Sequence, residues 1–234
     1  MSKKELASWQ SDLAAAAKTI AKNEGTDSSA ITIQHGTMMY HEQAIPNNEL
    51  EVIVVASTAE NCYYSGAYDP DKISSPECFA QSLDPKSMAP HSNVAEPIAE
   101  NCQVCPYNEF GSKGKGKMCK NYRKLIMIPA GTTADEVAGA ELAYLKVSPT
   151  SVNNWKKYCQ QLVASAGIPP WAAKTKIKVV PDKKTIHQVT FHAVEPVGDD
   201  ALLAAIHGRI EEGESQLLQP YTYEEDEVAE SSKY

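Results

Sequence analysis

The chain has 234 residues, of which 42% are hydrophobic, which suits one large domain or one core that carries an inserted subdomain. It has no run of about 18 apolar residues and no continuous apolar stretch near its N-terminus, so it predicts neither a membrane span nor a signal peptide. We therefore expect a cytoplasmic protein without a membrane partner. In a reducing compartment, six cysteines are more typical of thiols or metal ligands than of disulfides, although secretion would reopen the disulfide interpretation.

The net charge of −8 is concentrated at one end of the chain. Residues 199–234 contain ten acidic and two basic residues, whereas the other 198 residues contain 20 of each sign and are neutral. The negative net charge of the whole chain therefore does not argue against nucleic-acid binding, because a separate tail can carry the excess negative charge. From Glu211 onward the chain is acidic and poor in large apolar residues, which predicts a disordered tail over 211–234.

The first part of the chain predicts a helix, strands and a long excursion. Apolar residues at helical spacing predict an amphipathic helix over 3–24. This helix and the first strands of the predicted barrel together form the segment 1–60. The apolar run 50–58 predicts a strand buried on both faces. Residues 61–122 hold five of the six cysteines and have little periodicity, whereas 123–130 is again strand-like. We interpret 61–122 as a cysteine-rich subdomain inserted between two strands of one sheet.

The second part, 123–210, predicts the remainder of a barrel. A strand over 140–151 precedes a helix over 151–167, with Ser151 as its N-cap and Gly167 as its C-terminal stop. The apolar face predicted for this helix comprises Val152, Trp155, Cys159, Leu162 and Val163. A strand hairpin over 175–197, turning at 181–184, and a short helix beginning near Asp199 or Asp200 follow.

This order of elements predicts a mainly β fold with a few helices, of the α+β class. A small barrel with one helix between its strands accommodates all of them. The five-stranded barrel of the oligonucleotide-binding fold, carrying an inserted zinc subdomain and an acidic tail, fits the order best.

The spacing of the cysteines in the excursion is typical of a zinc site. Cys102 and Cys105 form a C-x2-C pair that offers two thiolates from one turn, and Cys119 follows after 13 intervening residues. Cys78 is the best fourth ligand. The expected cofactor is therefore one structural Zn²⁺, with the predicted ligands Cys78, Cys102, Cys105 and Cys119.

Other interpretations of these cysteines remain open. Cys62 or His91 can take the place of Cys78, and reduced, half-buried cysteines without metal are the structural alternative. A thioredoxin-like redox pair lacks the expected βαβ context. A catalytic zinc is disfavoured because four thiolates leave no open coordination position.

A basic strip overlaps the cysteine cluster. No acidic residue lies between Glu109 and Asp135, an interval that contains six basic residues and the sequence GSKGKGK. Glycines allow the backbone to approach a ligand, lysines suit phosphates, and interleaved aromatic rings suit the bases of single-stranded nucleic acid. The predicted DNA-binding residues are Tyr63, Tyr64, Tyr107, Phe110, Lys113, Lys115, Lys117, Lys120, Tyr122, Arg123 and Lys124. A solvated lysine loop with tyrosines packed around the metal is the alternative.

Catalytic motifs are missing from the sequence. It has no G-x-S-x-G, no H-E-x-x-H and no Walker G-x-x-x-x-G-K-[ST] pattern. His35, His41, His187 and His192 have no evident catalytic partner in the sequence. We therefore expect a binding protein rather than an enzyme, with a hydrolase of unrecognised type as the least favoured alternative.

The run CQVCPYNEFGSKGKGKMCKNYRKLIMIP resembles zinc-containing single-stranded DNA-binding proteins of tailed bacteriophages. The shared features are C-x2-C-P, N-x-x-G-S, a Gly/Lys-rich stretch and a last cysteine before a basic strand, with an upstream cysteine such as Cys78. The later run SVNNWKKYCQQLVASAGIPPW and its hairpin are also similar to these proteins. The scheme is similar to that of the T4-type family, which has an oligonucleotide-binding barrel, an inserted zinc site and an acidic tail. That family uses one His with three Cys, whereas this sequence offers four Cys.

The resemblance implies non-sequence-specific binding of single-stranded DNA during phage DNA replication or recombination, in the cytoplasm of the host. It also implies that the acidic tail recruits replication or recombination proteins or competes with DNA. The alternative is a zinc-stabilised protein-interaction or transcription-regulating module without preference for single strands.

Overall fold

The protein is described here from a computed structural model that defines residues 29–66 and 75–221. The helix predicted over 3–24 and the chain from Thr222 onward lie outside the described residues. No helix in the described ranges is long and apolar enough to cross a membrane.

The described chain is mainly β, and its nine strands form one sheet. The strands are β1 (Ala30–Gln34), β2 (Thr37–Tyr40), β3 (Gln43–Ala44), β4 (Glu49–Tyr63), β5 (Cys78–Ser82), β6 (Lys120–Pro129), β7 (Ala143–Val147), β8 (Ala173–Asp182) and β9 (Ile186–Pro196). Their order is β3-β2-β1-β7-β6-β4-β8-β9, and β5 also pairs with β4. Only the β1–β7 pair of these described strands is parallel.

The sheet curls into a half-barrel around its main core. Side chains from β1 and β2 share one apolar cluster with side chains from β8 and β9, which lie at the other end of the strand order. A Cβ at Gly36, between β1 and β2, would lie 4.0 Å from the Cβ of His187 in β9. The predicted α+β, barrel-like class is therefore confirmed, although the sheet is larger than the predicted five-stranded barrel.

Three α-helices, α1 (Val152–Ala166), α2 (Asp200–His207) and α3 (Ile210–Leu217), complete the described fold. Helix α1 packs into the half-barrel, where Trp155 and Phe191 meet edge to face at 5.2 Å. Helices α2 and α3 supply Ile206 and Leu217 to a second core with residues of β4 and β6. The central strands are thus covered on both faces, which explains the uninterrupted apolar run in β4.

Helix α1 differs from its prediction at several positions. Val163 is 64% exposed, and Tyr158 is buried in the core instead. Ser151 does not cap the helix through its side chain, because its hydroxyl accepts a hydrogen bond from the backbone N–H of Val189 at 2.9 Å. The predicted stop at Gly167 is confirmed: it has φ 66° and donates its N–H to the carbonyl of Val163.

The prediction that a tail begins at Glu211 is wrong, because α3 lies there and packs on the sheet. The acidic residues of α3 give this part of the sequence a polar composition, although one narrow face of the helix is buried. Gly213 permits the close approach, since a Cβ there would lie 3.1 Å from the Cβ of Ala56. Leu217 is almost fully buried one turn later.

The excursion between β4 and β6 leaves and rejoins two adjacent strands of one sheet, as predicted. These strands are antiparallel and stay paired as far as Cys62 and Lys120. The predicted segment 61–122 therefore includes strand residues at both ends, and β5 within it adds to the sheet. The hairpin of β8 and β9 and the start of α2 at its Asp199 cap are also confirmed.

Candidate metal and nucleic-acid site

The four cysteines predicted to bind zinc line one small cavity of about 10 Å³. Cys78 begins β5, Cys102 and Cys105 lie on a turn within the long loop between β5 and β6, and Cys119 directly precedes β6. The last three are buried and Cys78 is half-buried. Residues separated by up to 41 positions are thus brought around one point, because β5 and β6 both pair with β4.

The two alternative fourth ligands lie elsewhere. His91 is stacked on Phe79, with ring centroids 4.9 Å apart, and is not among the residues that line the cavity. Cys62 follows Asn61 on β4 and therefore points to the other face of the sheet, where its Sγ lies 3.7 Å from the hydroxyl of Tyr221. Cys78 is the candidate that the fold places in the cavity wall.

Backbone hydrogen bonds fix the loops that carry these cysteines. The N–H of Cys102 donates to the carbonyl of Met88 at 3.0 Å, and the N–H of Cys119 donates to the carbonyl of Tyr107 at 2.8 Å. The side-chain amide of Asn108 donates to the carbonyl of Cys102 at 2.7 Å. The thiols are therefore carried on a framework that does not depend on their own contacts.

Burial disfavours the thiolate form of three of these cysteines. Burial raises the pKa of Cys119 to about 12, and the neighbouring cysteines act in the same direction. Burial also raises the pKa of Cys102 and of Cys78, against smaller opposing hydrogen bonds. A metal ion that binds here must displace these protons.

Zinc fits the donor set by type and number, since four thiolates form a closed structural site. As the side chains stand, no group of three or more His, Cys, Asp and Glu in the described ranges has the arrangement of a metal site. The shared cavity therefore favours a metal site, whereas the present side-chain positions do not form one. The backbone places all four cysteines in the wall of one cavity, and a zinc ion bound there would require their side chains to reorient towards it.

A polar network joins the cysteine cavity to the basic strip. Asn61 lines the cavity and accepts a hydrogen bond from Asn121. The ammonium group of Lys117 donates to the side-chain oxygens of Asn108 and Asn121 at 3.1 and 3.0 Å. Lys120 in turn donates to the carbonyl of Lys117 at 2.7 Å. Both lysines are half-buried and held in place, so they brace the loop.

The segment GSKGKGK forms its own tight turn. The N–H of Gly116 donates to the carbonyl of Lys113 at 3.0 Å, and the N–H of Gly111 donates to the carbonyl of Gly116 at 2.9 Å. Gly114 has φ 60°, a left-handed conformation that favours glycine. The turn leaves Lys113 and Lys115 exposed at its tip.

The predicted aromatic residues fall into two groups. Phe110 is 82% exposed beside the turn, and the ammonium group of Lys117 lies 4.9 Å from its ring centroid. Tyr63 and Tyr107 lie near the cysteine cavity with centroids 4.8 Å apart. Tyr64 and Tyr122 belong instead to an apolar cluster around Cys62 and Phe79.

Two residues predicted to bind DNA are buried and do not belong to an exposed strip. Arg123 is 7% exposed, and its Nε has no hydrogen-bond partner within the described residues. Burial lowers its pKa. Lys124 is 6% exposed and lies 3.3 Å from the carboxylate of Glu60. Neither side chain is therefore exposed enough to contact the phosphates of a bound DNA strand.

The prediction missed a buried ionic cluster centred on Glu60, which is 1% exposed. Its carboxylate pairs with Lys124 and Lys146 and accepts hydrogen bonds from Gln81 at 3.2 Å and Tyr221 at 3.1 Å. Burial alone raises the pKa of Glu60, but the two ammonium groups outweigh burial and hold this pKa below its ordinary value. A glutamate inside a strand buried on both faces was the signal in the sequence.

A larger groove of about 620 Å³ lies on another part of the half-barrel. Its lining includes apolar residues such as Val52 and Met127 together with the acidic residues Asp135, Glu136 and Glu141. Carboxylates repel phosphates, so this groove does not suit a nucleic-acid backbone.

Comparisons of the chain with protein-family models, with curated proteins and with solved structures find no match. The phage resemblance therefore rests on the motif residues of the sequence alone.

Proposed function

We propose that this protein binds single-stranded DNA without sequence specificity, in phage DNA replication or recombination, and that a structural zinc ion holds its binding loop. The observation that carries the proposal is the tip of the acid-free loop. There an exposed ring, Phe110, lies beside the exposed Lys113 and Lys115, on a loop braced against four clustered cysteines.

Zinc would be held by the four cysteines that line the small cavity. It would supply cross-links between the start of β5, the turn 101–105 and the start of β6, and no reaction chemistry. The loop has few apolar residues of its own, so these cross-links would fix the lysines and the ring in relation to the sheet. The proposed protein is accordingly a binding protein and not an enzyme.

The loop offers the two contacts that single strands require. Lysines follow the phosphate backbone as mobile point charges, and aromatic rings stack on bases of any identity. Tyr63 and Tyr107, whose ring centroids lie 4.8 Å apart, supply two further, half-buried rings in the excursion. Barrels of the oligonucleotide-binding type use similar surfaces, which supports the assignment. The acidic tail is proposed to recruit replication or recombination proteins.

Replacing both tip lysines should weaken the electrostatic part of binding. For a Lys113→Ala/Lys115→Ala variant we expect the slope of log K against log salt for oligo-dT to become shallower by about 1.4, since each phosphate contact on a single strand contributes about 0.7. The matched control is Lys156→Ala/Lys157→Ala, which removes two exposed lysines from α1. Equal slopes for the two variants would contradict the assignment of the tip.

Removing the exposed ring should weaken binding without affecting the fold. For Phe110→Ala we expect a loss of about 5- to 150-fold in affinity for oligo-dT, the equivalent of about 1–3 kcal/mol for one stacked base. The control is Val163→Ala, which truncates an exposed apolar side chain far from the loop in sequence, on α1. Affinity is measured by fluorescence titration, and unchanged affinity of Phe110→Ala would show that the ring does not stack on a base.

The second candidate is a zinc-stabilised protein-interaction or transcription-regulating module. The exposure of both Val104 and Phe110 in the same excursion favours it, because exposed large apolar side chains are common at protein interfaces. Competition between single-stranded and duplex oligonucleotides of the same length separates the two candidates. Preference for the single strand supports the first, and equal binding or no binding supports the second.

A further inference from the structure

The described chain ends on the sheet face opposite the cysteine cavity. After α3, the carbonyl of Gln219 accepts a hydrogen bond from Gln81 of β5 at 3.2 Å. The next ring, that of Tyr221, then lies over the buried cluster of Glu60. The chain beyond it holds most of the acidic residues of the predicted tail.

Both the hydroxyl and the ring of Tyr221 contact neighbouring side chains. Its hydroxyl donates to Glu60 at 3.1 Å and accepts from Lys146 at 2.9 Å. Its ring meets the ring of Phe79 edge to face at 5.0 Å, and the ammonium group of Lys146 lies 5.7 Å from its centroid. Tyr64 and Tyr122 pack in the same cluster.

Without this ring, the site would be a slot with aromatic walls and an ionic floor. The carboxylate of Glu60 would lose a hydrogen-bond donor, and Lys146 would lose an acceptor. Lys146 is 29% exposed, and it keeps its ion pair with Glu60. A flat ring that presents a donor next to an acceptor would therefore restore the two lost hydrogen bonds without disturbing that pair. A nucleobase has this shape and this edge.

We propose that the slot beneath Tyr221 is a nucleobase-binding site, which Tyr221 fills until a base of the single strand replaces it. Guanine suits the slot best, because its two adjacent N–H donors match the carboxylate of Glu60 and its O6 matches the ammonium group of Lys146. This inference rests on the proposed single-strand binding, and it gives that surface one position with base preference.

The location of the slot suits entry from the basic strip. Tyr122 lies next to Tyr64 on the edge of the cluster, and the ammonium group of Lys146 lies 4.3 Å from the ring centroid of Tyr122. Lys120 pairs with Cys62 across β4 and β6, one step from the slot. Tyr122 and Lys120 thus connect the start of β6 with the slot.

The test compares three variants with the same charge. Tyr221→Ala removes the ring from the slot, Tyr223→Ala removes the next tyrosine of the sequence, and both retain every acidic residue of the tail. Binding of the full-length proteins to labelled (dTTG)5, (dTTA)5 and oligo-dT is measured by fluorescence anisotropy. Tyr221→Phe is the conservative variant, since it retains the ring but loses the hydrogen bonds to Glu60 and Lys146.

We expect Tyr221→Ala to bind (dTTG)5 about fivefold or more tighter than the wild type, because a competitor for the slot is removed. The gain should be smaller for (dTTA)5 and oligo-dT, intermediate for Tyr221→Phe and absent for Tyr223→Ala. Equal affinities of the wild type and all three variants for (dTTG)5 would overturn the slot but leave single-strand binding intact. Absence of binding by every protein would instead overturn the proposed function.

Discussion

A Cys105→Ser variant is expected to lose zinc, with metal content falling from about one ion per chain to near none. Serine cannot supply the thiolate, and three remaining cysteines make a weaker and more open site. Mass spectrometry of the metal in protein purified without added zinc measures this directly. Cys159→Ser is the matched control, because Cys159 lies on α1 and does not line the cavity of the other cysteines.

Loss of the ion should also loosen the excursion between β4 and β6. Cross-links from a structural zinc stabilise loops that lack a core, so we expect faster proteolysis within 83–119 in Cys105→Ser and in chelator-treated wild type. The sheet should remain folded, since its two cores lie outside this loop. Equal metal content in Cys105→Ser and Cys159→Ser would contradict the zinc site.

Glu60→Gln is expected to lower the free energy of unfolding by about 3–5 kcal/mol, because it leaves the buried Lys124 without its anionic partner. Urea denaturation followed by circular dichroism measures the change. Glu195→Gln removes an exposed carboxylate that pairs with Lys174, and it should leave the urea midpoint unchanged. A Glu60→Gln midpoint equal to that of the wild type would show that the buried cluster does not stabilise the fold.

The same carboxylate predicts a pH dependence. The folded protein holds the pKa of Glu60 below its ordinary value of 4.5, so the group stabilises the fold above that pH. The stabilisation is lost as the pH falls from 4.5 through the lower folded pKa. Urea midpoints measured over this acid range should fall more steeply for the wild type than for Glu60→Gln, in which position 60 does not titrate.

Local patterns predicted those elements that the chain specifies over short distances. The apolar run of β4, the alternating residues of β8 and β9 and the cap at Asp199 each identify their element from neighbours in the sequence. The excursion was also visible, because prolines, glycines and cysteines replace periodicity there. Cysteine spacing predicted three members of the cavity, but it left open whether Cys78, Cys62 or His91 joins them.

Features that depend on distant pairing could not be predicted in this way. Arg123 and Lys124 read as part of a basic strip, and only the register of β6 against β4 shows that they are buried and that Lys124 meets Glu60. The acidic composition around α3 concealed the contact of Gly213 with Ala56. Likewise, nothing near Tyr221 in the sequence indicates that it lies against β5 and β7.

Titration of the wild-type protein with fluorescent oligo-dT at about 50 mM and about 200 mM salt tests the central claim most directly. We predict binding at the lower salt concentration that weakens at the higher one, with a slope of log K against log salt of about −0.7 for each phosphate contacted. Failure to bind oligo-dT at the lower salt concentration would contradict single-strand binding.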